Sequence, residues 1–221
     1  MQILQILKDS LSSLISGLEV TIEISAISLF LAFILGIIIG IFSISKTKVL
    51  KSIAFVYLYI IRGTPLMVQA LFIYFGIAPL IADRTNPMIC AIIAITLNAG
   101  AYMSEIFRAG IQAVDVGQME AARSLGLSYV KTMRKVILPQ AIRVMIPSII
   151  NQFIVTIKDT SLLSVITIKE LTASGQIIVA RNFKPLQTYA IVAIMYFILI
   201  TVLSLLSKYI EGRLESGHRS N

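Results

Sequence analysis

Residues 18–44 form an apolar run whose second half, 31–44, holds no charge and which stops only at Lys46, Lys48 and Lys51. A hydrocarbon core of about 30 Å is crossed by about 20 apolar residues in helical form. This run, and several like it further on, therefore fix the medium before they fix the fold. Lipid offers the backbone no hydrogen bonds, which leaves helices and closed barrels as the only spanning structures. The period-two alternation of barrel strands is absent, so an all-α fold is expected. Composition agrees, because 57% hydrophobic and 14% charged residues in a chain of 221 are far too apolar for an ordinary soluble domain.

Five crossings are expected within one transmembrane domain, 1–221. Residues 1–16 place Ile3, Leu4, Leu7, Leu11, Leu14 and Ile15 at helical spacing and predict a short amphipathic helix lying on the membrane surface. The crossings follow at 18–44, 53–80, 88–107, 141–165 and 188–207, the second interrupted by Arg62-Gly63-Thr64-Pro65. A polar loop occupies 108–140 and a mixed segment 166–187. Gly36 and Gly40 form a GxxxG pattern suited to close helix approach, by packing within the chain or in a dimer.

Of the 19 Lys and Arg residues, twelve fall on one side of this topology: Lys46, Lys48, Lys51, six within 108–143, and Lys208, Arg213 and Arg219. Five fall on the other, and Arg62 and Lys158 stand at membrane depth. Basic residues gather on the cytoplasmic side, so the N-terminus is expected outside and the polar loop and C-terminus inside. The same asymmetry accounts for the net charge of +8 without nucleic acid. Cys90 is the only cysteine and His218, in the polar tail, the only histidine, which excludes an internal disulfide and a metal cluster. The N-terminal segment does not read as a cleavable signal, since Lys8 is matched by Asp9 and the apolar stretch after it is too long.

The polar loop has a rhythm of its own. Met119 to Leu125 favours helix, Gly126 can stop it with a positive φ, and Ser128 suits the N-cap of a second helix running through Val136. Pro139, lacking a donor, is expected to end that helix. Glu120-Ala121-Ala122, Gly126 six residues after the Glu, and Leu138-Pro139 resemble the EAA loop of ABC importer permeases. The resemblance implies that Glu120 caps and braces the turn, that Ala121, Ala122 and Gly126 keep it thin enough for a cleft on an ATPase, and that Leu138 and Pro139 complete the coupling motif.

Three further stretches bear polar groups at membrane depth. In Arg62 to Gln69, Gly63 and Pro65 weaken the backbone ladder and free its groups to face a cavity. Arg62 needs water or a counter-ion there: a substrate carboxylate, or a structural pair with Glu105 or Asp159. Asn98, Tyr102 and Glu105 share one helix face, with Glu105 read as a structural partner of Arg108 and small Ala99, Gly100 and Ala101 admitting a neighbouring helix. Lys158-Asp159-Thr160-Ser161 offers both charges and two hydroxyls, as a zwitterion requires, or else a self-compensating pair that locks the helix end.

These stretches resemble the branch of ABC permeases that imports polar amino acids such as histidine, glutamate, glutamine, arginine and cystine. On that resemblance Arg62, Gly63, Thr64, Asn98, Tyr102, Lys158, Asp159, Thr160 and Ser161 are the candidate substrate-binding residues. It further implies a permease dimer, of copies or of sister chains, in the bacterial cytoplasmic (inner) membrane. A pair of ABC ATPase subunits binds below, and a substrate-binding protein delivers from outside. The chain has no Gly-Lys dipeptide and so no phosphate-binding GxxxxGK[ST] loop. ATP and Mg²⁺ are expected on the partner ATPase, with no cofactor and no catalytic residue here. An ion-coupled secondary amino acid transporter, relaying protons through Asp159 and Glu105, is the rival reading, but it leaves the polar loop without a purpose. An intramembrane hydrolase would need a histidine at membrane depth.

Overall fold

The computed structural model describes residues 2–216; Met1, His218 and Arg219 lie outside the described residues. Helix α1 (Gln2–Ile44) is continuous over 43 residues, so the separate surface helix expected over 1–16 is corrected. Nothing there breaks the backbone. Gly17 instead serves a close approach, because a Cβ on it would meet Ser174 Oγ and stand 3.0 Å from the carbonyl of Glu170. Ile6 and Leu14 are buried against Leu171, Ile178, Ile191 and Val192. Leu14 and Ile6 thus pack on protein, while Ile3, Leu4, Leu11 and Ile15 of the stripe stay exposed.

Helices α2 (Lys48–Arg62) and α3 (Leu66–Ile81) meet at 102°, making the second crossing a broken span. Pro65 disfavours the helical conformation for Thr64 and takes φ −65°, ψ 141° itself. Helix α4 (Pro87–Gln112) begins at Asn86, whose side chain accepts the Met88 amide at 2.9 Å. There follow α5 (Val116–Ser124), α6 (Tyr129–Ile166), α7 (Leu171–Asn182) and α8 (Pro185–Ser216). Four helices, α1, α4, α6 and α8, are long and apolar enough to cross a membrane, and the bent pair makes a fifth crossing. Among the described residues there is no strand.

The expected stop at Pro139 is also corrected. Helix α6 runs through it, with a π turn at Met133–Ile137 immediately before Leu138-Pro139. Helix α3 repeats the device, its π turn Phe72–Ile77 preceding Ala78-Pro79. A proline lacks the N–H and its ring crowds the carbonyl four residues back. Widening the preceding turn gives that ring room and lets the helix continue.

The broadest helix contact joins α1 to α4. A Cβ on Gly36 would stand 2.5 Å from Met103 Cβ, and one on Gly100 2.8 Å from Leu35 Cδ2. Both glycines are thus needed where two backbones touch, and the GxxxG pattern is consumed inside the chain rather than at a dimer seam. Across the bundle, Leu163 and Ile166 at the end of α6 share one apolar core with Leu66, Ala70 and Ile73 of α3.

Candidate functional site

The polar loop folds into a fixed knob. Asp115 caps α5, its Oδ1 accepting the Gly117 amide at 2.7 Å. Glu120 lies in mid-helix, exposed and without a hydrogen bond or ion pair among the described residues, so the bracing role expected of it is corrected. What closes the helix is Gly126 at φ +85°. Its amide bonds the Arg123 carbonyl at 3.0 Å, and the Leu127 amide bonds the Ala122 carbonyl at 3.2 Å. These are the paired bonds of a Schellman motif. A Cβ at 126 would meet nothing within 4 Å, so only the backbone conformation demands glycine. Ser128 then caps the next helix through the Lys131 amide, as expected.

The knob carries an apolar surface in a polar stretch. Val116 is 70% exposed, Leu125 84%, Tyr129 56% and Val130 72%. Ala121 and Pro139 are exposed beside them, Leu138 is half-buried, and Ala122 is packed inside. Most other exposed apolar residues, Phe183 excepted, lie on helices apolar enough for lipid. Here they sit among Glu120, Arg123 and Lys131, where lipid cannot cover them.

At the broken span, Glu105 Oε2 accepts from both Arg62 at 3.3 Å and Arg108 at 2.8 Å, so of the two partners open to Arg62 it is Glu105 that is found. The Arg62 guanidinium also stands 5.8 Å from the centre of the Tyr102 ring. Together Arg62, Gly63, Thr64, Tyr102 and Glu105 line a cavity of about 820 Å³, walled on its apolar side by Phe55 and Tyr59.

Two of the freed carbonyls are bonded rather than left open to this cavity. Gln69 takes them: its Nε2 donates to Ile61 O at 2.7 Å and to Thr64 O and Oγ1 at 3.0 and 2.8 Å. Its Oε1 accepts Asn98 Nδ2 at 3.1 Å. Asn98 is buried and braces the break instead of lining the cavity, which corrects the expectation for it. In an apolar interior a released backbone group needs a partner, and one amide side chain supplies it for Ile61 and Thr64. Sequence reasoning missed Gln69; the signal was an amide residue four positions after the helix-breaking proline.

Lys158 is exposed and Asp159 half-buried, with no ion pair to either among the described residues. The self-compensating pair is therefore corrected. Thr160 is fully buried and donates to Ile157 O at 2.7 Å, while Ser161 donates to Lys158 O at 2.6 Å. Both hydroxyls finish the helix end. This motif shares an apolar core with the break but does not enter the Arg62 cavity.

Comparison with known proteins follows the same outline. Residues 32–216 match the family described as binding-protein-dependent transport system inner membrane component. The glutamine transport system permease protein GlnP of Escherichia coli (strain K12) is 40% identical over 203 residues, 91% of this chain and 93% of its own. The L-cystine transport system permease protein TcyB of Bacillus subtilis (strain 168) is 44% identical over 200 residues, 90% and 85% of the two chains. Among solved structures, a chain of an amino acid ABC transporter crystallised with histidines superposes with TM-score 0.91 at 37% identity, covering 96% of this chain and 99% of that one. A chain of the inward-facing MetNI methionine ABC transporter superposes with TM-score 0.79 at 17% identity, over 91% of this chain and 96% of its own, a likeness of fold.

Proposed function

The chain belongs to the family of binding-protein-dependent transport system inner membrane components, the permeases of ABC importers, and from that membership we propose that it forms the passage of an ATP-driven importer of polar amino acids. It is a multi-pass membrane transport subunit and not an enzyme. The transport of glutamine and cystine named for its relatives supports the substrate class.

One observation carries the reading: the Schellman-closed knob presents Val116, Leu125, Tyr129 and Val130 to water. A rigid bend with an apolar surface is a docking element, and the family supplies the partner, an ATPase subunit. ATP and Mg²⁺ bind on that subunit, and the knob passes its motion into α6 without an intervening loop. The basic loops support a cytoplasmic position for this end and an outside position for the N-terminus. A second copy or a sister chain completes the passage, and a binding protein delivers the substrate. At the Arg62 cavity, a guanidinium whose side chain is 45% exposed can exchange part of its Glu105 pairing for a substrate carboxylate. Asp159, which makes no salt bridge among the described residues, lies outside that cavity and is a separate candidate for an ammonium group along the passage.

Reconstitution in proteoliposomes tests this directly. With ATPase, binding protein and internal ATP, labelled L-glutamine, L-cystine or L-arginine should accumulate. Glu120→Lys or Gly126→Asp should abolish accumulation and ATPase docking while the binding protein keeps its affinity. Accumulation by the permease alone under an ion gradient would instead establish the secondary transporter.

A further inference from the structure

The corner between α7 and α8 holds a phenyl ring away from the protein. Phe183 is 84% exposed and Leu186, three residues on, 79%. Arg181 and Lys184 are exposed on either side of the ring. Phe183 belongs to neither helix, and so to no segment apolar enough for lipid. Its φ is +54°, a conformation that a bulky side chain rarely adopts.

Hydrogen bonds fix the corner on both sides. The Phe183 amide closes α7 by donating to the Val179 carbonyl at 2.9 Å. Asn182 Oδ1 accepts the Lys184 amide at 2.8 Å, and its Nδ2 donates to Oγ1 of buried Thr188 at 3.2 Å. The Thr188 amide in turn donates to the Lys184 carbonyl at 3.1 Å. At its other end α7 is capped by Glu170, which accepts the Thr172 and Ala173 amides at 2.8 and 2.6 Å and the Tyr196 hydroxyl of α8 at 2.9 Å. The ring therefore sits on a rigid mount.

The mount lies at the end of the molecule away from the knob. Helix α6 crosses between the two, and Ile178 of α7 shares a core with Ile6 near the start of α1. With the knob in the cytoplasm, the corner faces outside, the side from which a binding protein arrives. Aromatic side chains are enriched where proteins meet. A lipid surface is fluid and takes a ring from any backbone conformation, so it gives no reason to hold one at positive φ. A shaped pocket does, because it needs the ring kept still. Arg181 and Lys184 make the rim basic, and the surface that complements it is acidic.

We propose that Phe183 and Leu186, rimmed by Arg181 and Lys184, form a docking surface for the substrate-binding protein, whose matching surface is an apolar pocket bordered by carboxylates. This rests on the transport reading above and names the residues that receive the delivering protein. The ring anchors the contact, and the basic rim orients it.

The importer reconstituted in nanodiscs with its ATPase tests the proposal, titrated with purified binding protein loaded with L-glutamine, L-cystine or L-arginine. Phe183→Gly removes the ring and suits a positive φ, so the corner keeps its shape. The binding-protein concentration for half-maximal stimulation of ATP hydrolysis should rise at least about tenfold, as for an aromatic anchor at a protein interface. The maximal rate, hydrolysis without binding protein and complex yield should stay near wild type. In the wild type that concentration should also rise with salt, whereas Arg181→Glu with Lys184→Glu should raise it about tenfold at low salt and remove the rise. Unchanged half-saturation in Phe183→Gly, or a wild-type titration indifferent to salt, would overturn the assignment. So would a loss seen only as lower complex yield or altered hydrolysis without binding protein, the result of a lipid-anchoring role. A wild-type complex whose hydrolysis no loaded binding protein stimulates would overturn the transport reading instead.

Discussion

Gln69 shows how much one side chain settles. Its amide joins three acceptors at the break to one donor on α4, so the 102° bend is a bonded structure and not a flexible joint. Gln69→Leu should lower stability by about 1–3 kcal/mol, because it strands the Asn98 amide and two carbonyls, and the midpoint of thermal unfolding of the purified importer measures this. Adding Asn98→Leu should recover only part of the loss, since the carbonyls of Ile61 and Thr64 stay unpaired; full recovery would show that the Asn98 bond is the only one that matters. Glu105 is similar in kind, one carboxylate shared by two guanidiniums. That sharing leaves one of them free to exchange partners.

Among the elements, α6 gives the coupling its mechanics. It carries the knob at one end and the Lys158–Ser161 turn near the other, in one helix with a π turn before Pro139, Pro147 in its interior and a 3₁₀ segment from Thr160. Pro139→Ala restores the missing donor and lets that turn tighten to regular α-helix. Removing the extra residue of the π turn rotates the knob by about 100° relative to the rest of α6. Uptake should drop at least about tenfold while the permease still reaches the membrane and folds; normal uptake per ATP would mean that the π turn is not used in coupling. The knob itself needs no such flexibility, because its bend is closed by the two bonds around Gly126.

For the whole molecule, the contact between α1 and α4 is the frame on which the broken span and α6 are hung. Gly36→Val places new atoms against Met103, which is fully buried and cannot step aside. Overpacking of this kind costs about 1–3 kcal/mol, and a lower unfolding temperature of the detergent-purified complex checks it. Orientation is testable at the same scale. In a Cys90→Ala background, a cysteine at Ser10 should react with impermeant maleimide added to intact cells, and one at Ser124 only after the membrane is opened; the reverse pattern would invert the topology argued from the basic loops.

Helical class, the five crossings, the interruption at Arg62–Pro65 and the Gly126 bend were all legible in the residues alone, because apolar run length and glycine or proline chemistry act locally. Tertiary structure decided the rest. It joined 1–16 to α1 by giving Ile6 and Leu14 a protein neighbour, carried α6 through Pro139, turned Asn98 into a brace through Gln69, and left Lys158 and Asp159 unpaired. Each of these outcomes depends on which group meets a side chain from a distant part of the sequence. Spacing along a chain states what a residue can bond, and only packing selects the partner.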